Sequence, residues 1–174
     1  MGVGLVKEYL CESEIKKRLK NLCVICDTRE VVNDHLIAWL DQHHIQHKSR
    51  ALETGDYSVM LGDTTFEDEV AFERKANLDE IAGNFTTGRE RFEREMIRAK
   101  ARGMKLFLVV ENATWTDIFL HNYRSRLEPK SLFASLMSWQ AEYNLTVIFC
   151  KPSETAQILY STLYYWVRGR LKRG

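Results

Sequence analysis

The stretch VAFERKANLDEI, residues 70–81, decides the reading of this chain. It opens on Val70, Ala71 and Phe72, as a buried strand does, then sets Glu73, Arg74 and Lys75 in a row, with Asp79 close behind. Successive side chains on a strand point to opposite faces, so Glu73 and Lys75 share one face and Arg74 takes the other. A carboxylate beside an ammonium has a chemical use. The carboxylate can hold a divalent cation, and the lysine can orient a water or offset charge building on a phosphate. A cation site calls for a second carboxylate, and Asp56, in TGDYSV, stands at the start of the preceding strand after a glycine that allows a sharp turn. Asp56…Glu73-x-Lys75 is thus an acid–acid–lysine constellation across a hairpin. On its own, the pattern also fits a salt-bridged Glu–Lys pair on an exposed strand of a charge-rich chain.

The flanking sequence adds acids at telling places. CDTRE puts Asp27, Arg29 and Glu30 directly after an apolar strand, at the C-terminal end where α/β sites collect. Asn77 is a candidate helix cap with Glu80 three residues later, which sets Asp79 in the first turn. An acid there complements the helix dipole whether or not it has a further role.

Apolar runs predict strands at 22–26, 45–52, 57–61, 69–75, 104–111 and 145–150. Helical patterns fall at about 12–20, 33–43, 77–86, 88–102, 130–143 and 154–171. Pro129 and Pro152 each precede a helical pattern, where proline is tolerated. This alternation argues one α/β domain over residues 1–174, with a central mixed sheet flanked by helices, a core at about 22–150, and the region 45–75 supplying the antiparallel part. The 174 residues, 45% hydrophobic and 28% charged, suit a globular chain rather than a disordered one. No apolar run is long enough for a membrane span, and the N-terminus lacks a secretory signal and a good myristoylation context. Four cysteines without such a signal point to reduced thiols in the cytoplasm. Cys23 and Cys26 have CxxC spacing but no second pair, and read as small hydrophobes in a buried strand.

At this point the residues resemble a family. DTRE, GDYSV and VAFERKANLD, in this order, are similar to the signature of XPF-type structure-specific endonucleases of the PD-(D/E)XK superfamily. The resemblance implies a restriction-endonuclease-like core and a metal-dependent DNA endonuclease acting at branched, flap or junction structures. It makes Asp56 and Glu73 the ligands of Mg²⁺ or Mn²⁺, Lys75 the group that positions the base or stabilises charge, and Arg74 and Asp27 further members of the active site. Asp27 would complete the metal's inner or outer shell. Arg29, Glu30 and Asp79 match the pattern with roles left open. The alternatives are a nuclease with another DNA substrate and a non-catalytic DNA-binding or dimerisation module of the same fold. Family members often carry helix-hairpin-helix or helicase domains. This chain shows neither and reads as a minimal nuclease domain.

Net charge is only +1, but its distribution is uneven. GRERFEREMIRAKARGMK, residues 88–105, is rich in arginine, and Arg91, Arg94, Arg98 and Arg102 fall at helical spacing on one stripe opposite Phe92, Met96 and Ala99. Such a row would grip DNA phosphates without reading sequence, with Glu90, Glu93 and Glu95 as the balancing acids of a solvated face otherwise. His35, His43, His44 and His47 read as a polar helix terminus rather than a zinc site, and Trp115 and Trp139 as core or interface aromatics. The last helix is apolar on nearly every side, so it is either sandwiched in the core or buried in a partner. XPF-type nuclease domains dimerise, which favours a homodimer with 154–171 at the interface.

Overall fold

A computed structural model of the chain describes residues 10–173. The reading of the Met1-Gly2 start lies outside these residues. In chain order the elements are α1 (Glu12–Leu19), β1 (Leu22–Cys26), α2 (Asp34–Gln42), β2 (Gln46–Ser49), β3 (Tyr57–Leu61), β4 (Thr64–Thr65), β5 (Val70–Lys75), α3 (Leu78–Asn84), α4 (Arg89–Ala101), β6 (Lys105–Glu111), α5 (Trp115–Phe119), α6 (Pro129–Glu142), β7 (Leu145–Cys150) and α7 (Pro152–Arg173). The short β4 and α5 are additions to the elements that periodicity predicts.

The strands form one mixed sheet in the order β2-β1-β3-β5-β6-β7, with β4 paired to β3. β1–β3 and β3–β5 are antiparallel, whereas β1–β2, β5–β6 and β6–β7 are parallel. This corrects the expectation that 45–75 is a hairpin unit. β2 crosses back through α2 to pair β1 at the sheet edge, so the antiparallel part is β1, β3 and β5.

Each face of the sheet carries its own core. Ala71, Leu106, Leu108 and Val110 pack under α3, α4 and α6, against Ile81, Phe92, Met96, Leu136 and Trp139. Val24, Tyr57, Phe72 and Val109 pack under α1, α2 and α7, against Ile15, Leu36, Leu40, Leu159 and Leu163. Alternation along β5 therefore sends Ala71, Glu73 and Lys75 to one side and Phe72 and Arg74 to the other.

α7 owes its position to Thr155, Leu159, Leu163 and Val167, which recur every four residues and are all buried. It lies against α1, α2 and β6, and Ile158, Tyr160, Tyr164 and Trp166 pack into the same core from its flanks. Its apolar sides are met within the chain, and Tyr165 is its one large hydrophobic residue left strongly exposed among the described residues. The helix is thus covered on its core side, with Ile158, Tyr160, Tyr164 and Trp166 half-buried on its flanks. Cys23 and Cys26 sit three apart on β1 and so on opposite faces, both reduced, and burial pushes the Cys26 thiol up to about 11. Trp139 is buried in the α6 core, and Trp115 meets Phe133 and Phe149 edge-on.

Candidate active site

The site forms where β1, β3 and β5 meet. The turn before β3 is built on Gly55, whose φ of +75° belongs to the left-handed region and whose Cβ, were there one, would lie 2.7 Å from the Phe72 carbonyl oxygen. That close approach fixes Asp56 against β5. The Asp56 amide donates to the Phe72 carbonyl at 2.7 Å, and its Oδ2 accepts from the Arg74 amide at 2.8 Å. The Asp27 amide donates to the Asp56 carbonyl at 2.7 Å. Three segments far apart in sequence are thus tied through Asp56.

Beside it, Lys75 Nζ donates to Glu73 Oε1 at 2.5 Å and lies 3.9 Å from Glu80 Oε1 and 5.6 Å from the centre of the Phe92 ring. Burial, and then the neighbouring Asp56, push Glu73 up to about 8 even though Lys75 pulls the other way. Burial likewise pushes Asp56 up to about 6, against the Arg74 amide and Lys75. Burial works against the Lys75 ammonium, but Glu73 outweighs it and holds Lys75 above the usual lysine value. Two partly buried carboxylates that repel each other, next to one ammonium, form a donor set of hard oxygens whose repulsion a divalent cation would relieve. Among the described residues no three His, Cys, Asp or Glu side chains converge as a ready-made metal cage. A site that takes two carboxylates from the protein and the remaining oxygens from water and a phosphate suits Mg²⁺ or Mn²⁺.

The other predicted site residues fall into three groups. Asp27 is buried with both carboxylate oxygens engaged, by the Arg29 amide at 2.7 Å, Arg29 Nε at 2.9 Å, Arg29 Nη2 at 2.8 Å and the Leu52 amide at 2.8 Å. Burial alone would raise Asp27, but these bonds from Arg29 and Leu52 hold it below the usual aspartate value. Its carboxylate is occupied as a clamp, which does not suit it to an inner position on a metal. Arg74 points to the opposite face from Glu73 and Lys75, where its guanidinium bridges Glu30 Oε1 at 2.9 Å and Glu111 Oε2 at 2.6 Å. Burial raises Glu30 above the ordinary glutamate value despite Arg74. Asp79 lies on the first turn of α3 and accepts from the Arg124 amide and Nε and the Ser125 amide, so it ties α3 to the segment before α6. Asn77 does cap α3, accepting from the Glu80 amide at 3.0 Å, while Glu80 turns back to the Ala76 amide at 2.7 Å.

Two acids that matter here escape the sequence pattern. Glu111 ends β6 and is almost fully buried, accepting from Arg74, from Thr155 Oγ1 at 2.6 Å and bonding His35 Nε2 at 2.8 Å. Burial would raise it, but Arg74, Thr155 and His35 together keep it low. His35, in the first turn of α2, is thus tied to a buried acid while its side chain stays 32% exposed, unlike His43 and His44, which are exposed at the end of α2. Glu95, on α4, accepts from the Gly55 amide at 3.2 Å and so touches the turn that carries Asp56. The available signals are an acid closing an apolar strand beside ERK for Glu111, and a place bordering the buried Phe92–Met96–Ala99 stripe for Glu95.

On α4 that stripe is buried as expected. Arg91 and Arg98 are exposed, and Arg94 is exposed with Glu90 3.7 Å away. Arg102 differs from the expectation of one continuous row. It caps the end of α4, with its guanidinium committed to Glu53 at 2.6 Å and Asp68 at 3.0 Å.

The sequence pattern of the ERCC4 domain matches residues 26–162, from the end of β1 to the middle of α7. The chain belongs to the ERCC4 domain family. The ERCC4 match takes in Asp27, Asp56, Glu73, Lys75, Glu95 and Glu111 together. No curated protein matches the chain by sequence. Among solved structures it is similar to XPF from Aeropyrum pernix, at 24% identity and a TM-score of 0.62, covering 82% of this chain and 60% of that one. It is also similar to the same protein in complex with DNA, at 22% identity and a TM-score of 0.63, covering 84% of this chain and 66% of that one. At these identities the likeness shows the fold. The chain spans 60% and 66% of the length of the XPF chains that it matches.

Proposed function

We propose that this ERCC4 domain is a divalent-metal-dependent DNA endonuclease acting at branched, flap or junction structures, and that it works in the cytoplasm as a homodimer. The observation that carries the proposal is the pairing of the Asp56 and Glu73 carboxylates with the Lys75 ammonium on one face of β5. Asp56 and Glu73 would hold the cation. Bound there, Mg²⁺ or Mn²⁺ would polarise the scissile phosphate and lower the pKa of a coordinated water. Lys75, which is buried beside the Phe92 ring, orients the attacking water or offsets the charge that develops on the phosphate. Asp27 acts through the main chain: clamped by Arg29 and Leu52, it holds Asp56 by its amide. Arg74 steadies β5 from behind through Glu30 and Glu111. Arg91, Arg94 and Arg98 supply free or weakly paired cations for DNA phosphates. The homodimer rests on the family resemblance, with Phe119 and Leu120 of the α5 end as exposed apolar side chains that could meet a second copy.

The test is incubation of end-labelled duplex, 3′-flap and four-way-junction DNA with Mg²⁺, Mn²⁺ or EDTA. Metal-dependent cutting close to the branch supports the proposal. Tight, salt-sensitive binding with no cutting of any substrate overturns it in favour of a DNA-binding module.

A further inference from the structure

Glu95 stands apart from the other acids of α4. It reaches the catalytic turn, where its Oε1 accepts from the Gly55 amide at 3.2 Å, and its charge acts on Asp56, Glu73 and Arg29. Its neighbours on the same side of the helix, one turn away in each direction, are Arg91 and Arg98. An amide acceptor at this place needs no charge: a glutamine would take the same hydrogen bond from Gly55. A glutamate instead adds a negative charge beside the carboxyl groups of Asp56 and Glu73, which costs the chain stability by itself. Arg29 offsets part of that cost, and a divalent cation between the carboxyl groups would offset more.

We propose that Glu95 is a positioning residue of the cation site. It anchors the Gly55–Asp56 turn with one oxygen, and its charge strengthens the hold of Asp56 and Glu73 on a divalent cation. This rests on the metal-dependent reading of the same site. Outer partners of a metal site are commonly worth ten- to a hundredfold in affinity, which sets the size of the effect. The role also accounts for the alternation on this side of α4: Arg91 and Arg98 flank Glu95, so the helix offers charges of both signs where a cation and a phosphate meet.

The experiment is Mn²⁺ binding followed by electron paramagnetic resonance for the unaltered protein, Glu95→Gln, Glu95→Ala and Glu73→Gln, with thermal unfolding in EDTA alongside. Glu95→Gln is expected to weaken Mn²⁺ binding by about tenfold or more while its unfolding midpoint in EDTA stays level or rises, because the repulsion is gone and the hydrogen bond is kept. Glu95→Ala should weaken binding at least as much. Mn²⁺ affinity unchanged in Glu95→Gln, with loss in Glu95→Ala alone, would make the residue a simple amide anchor and overturn the proposal. Should Glu73→Gln also bind Mn²⁺ as the unaltered protein does, the metal-dependent reading itself fails.

Discussion

At the scale of single residues, the site is governed by what burial does to carboxylates. Glu73 normally titrates at 4.5 but is pushed to about 8, so between these values the folded chain binds more protons than the unfolded one. In EDTA, the contribution of this group to stability is complete below pH about 4.5 and is lost as the pH rises through about 8. Glu73→Gln should flatten that slope, measured as the unfolding midpoint in EDTA across pH 5–9, and an unchanged slope would assign the pH dependence elsewhere. A cation bound there would displace the same proton, so Mn²⁺ affinity is expected to rise with pH through the neutral range. On the opposite face, Glu111 holds a buried charge partner. Glu111→Ala leaves Arg74 paired with Glu30 alone and takes the acceptor from Thr155, and should cost about 1–3 kcal/mol in denaturant unfolding. Asp56, Glu73 and Lys75 are legible in the sequence because ERK lies on one strand and alternation fixes its faces. Glu95 and Glu111 are not, because what makes them matter is contact with residues about forty positions away.

Among the elements, the turn at Gly55 is the most constrained. A Cβ at φ +75° would press on the Phe72 carbonyl and on Ala71 Cβ at 2.9 Å. Gly55→Ala should therefore destabilise by roughly 1–3 kcal/mol and shift Asp56, which lowers cleavage more than stability alone explains. Comparison of cleavage rates well below the unfolding midpoint checks this, and a stable, fully active variant would contradict it. α7 makes the complementary point. Its composition predicts burial, and the structure supplies that burial from α1, α2 and the sheet. Leu163→Ala, at a fully buried position, should cost about 2–5 kcal/mol, the usual range for a core leucine. The strands and the longer helices are readable from periodicity, but the partner of β2 is not. Nothing in QHKS distinguishes a hairpin with β3 from a parallel edge beside β1, because register at a solvated edge is weakly specified.

For the molecule as a whole, the charge pattern on α4 converts into a salt dependence. With Arg102 tied to Glu53 and Asp68 and Arg94 near Glu90, Arg91 and Arg98 are the exposed cations of the row that form no ion pair among the described residues. Replacing both with Gln should weaken DNA binding across sequences and reduce the slope of log affinity against log salt by about 2. A slope that does not move would shift the DNA path away from α4. Light scattering of the purified protein decides whether two copies associate, and Leu120→Asp should separate them if the α5 end is the contact. The central claim is that Asp56 and Glu73 hold the cation that cleaves DNA, and its most direct measurement is single-turnover cleavage of a 3′-flap substrate by the unaltered protein and Glu73→Gln, with Mg²⁺ or with EDTA. The account predicts cutting by the unaltered protein with Mg²⁺ only, and none by Glu73→Gln in either condition despite retained DNA binding. Equal cutting by the two proteins, or cutting that survives EDTA, would contradict it.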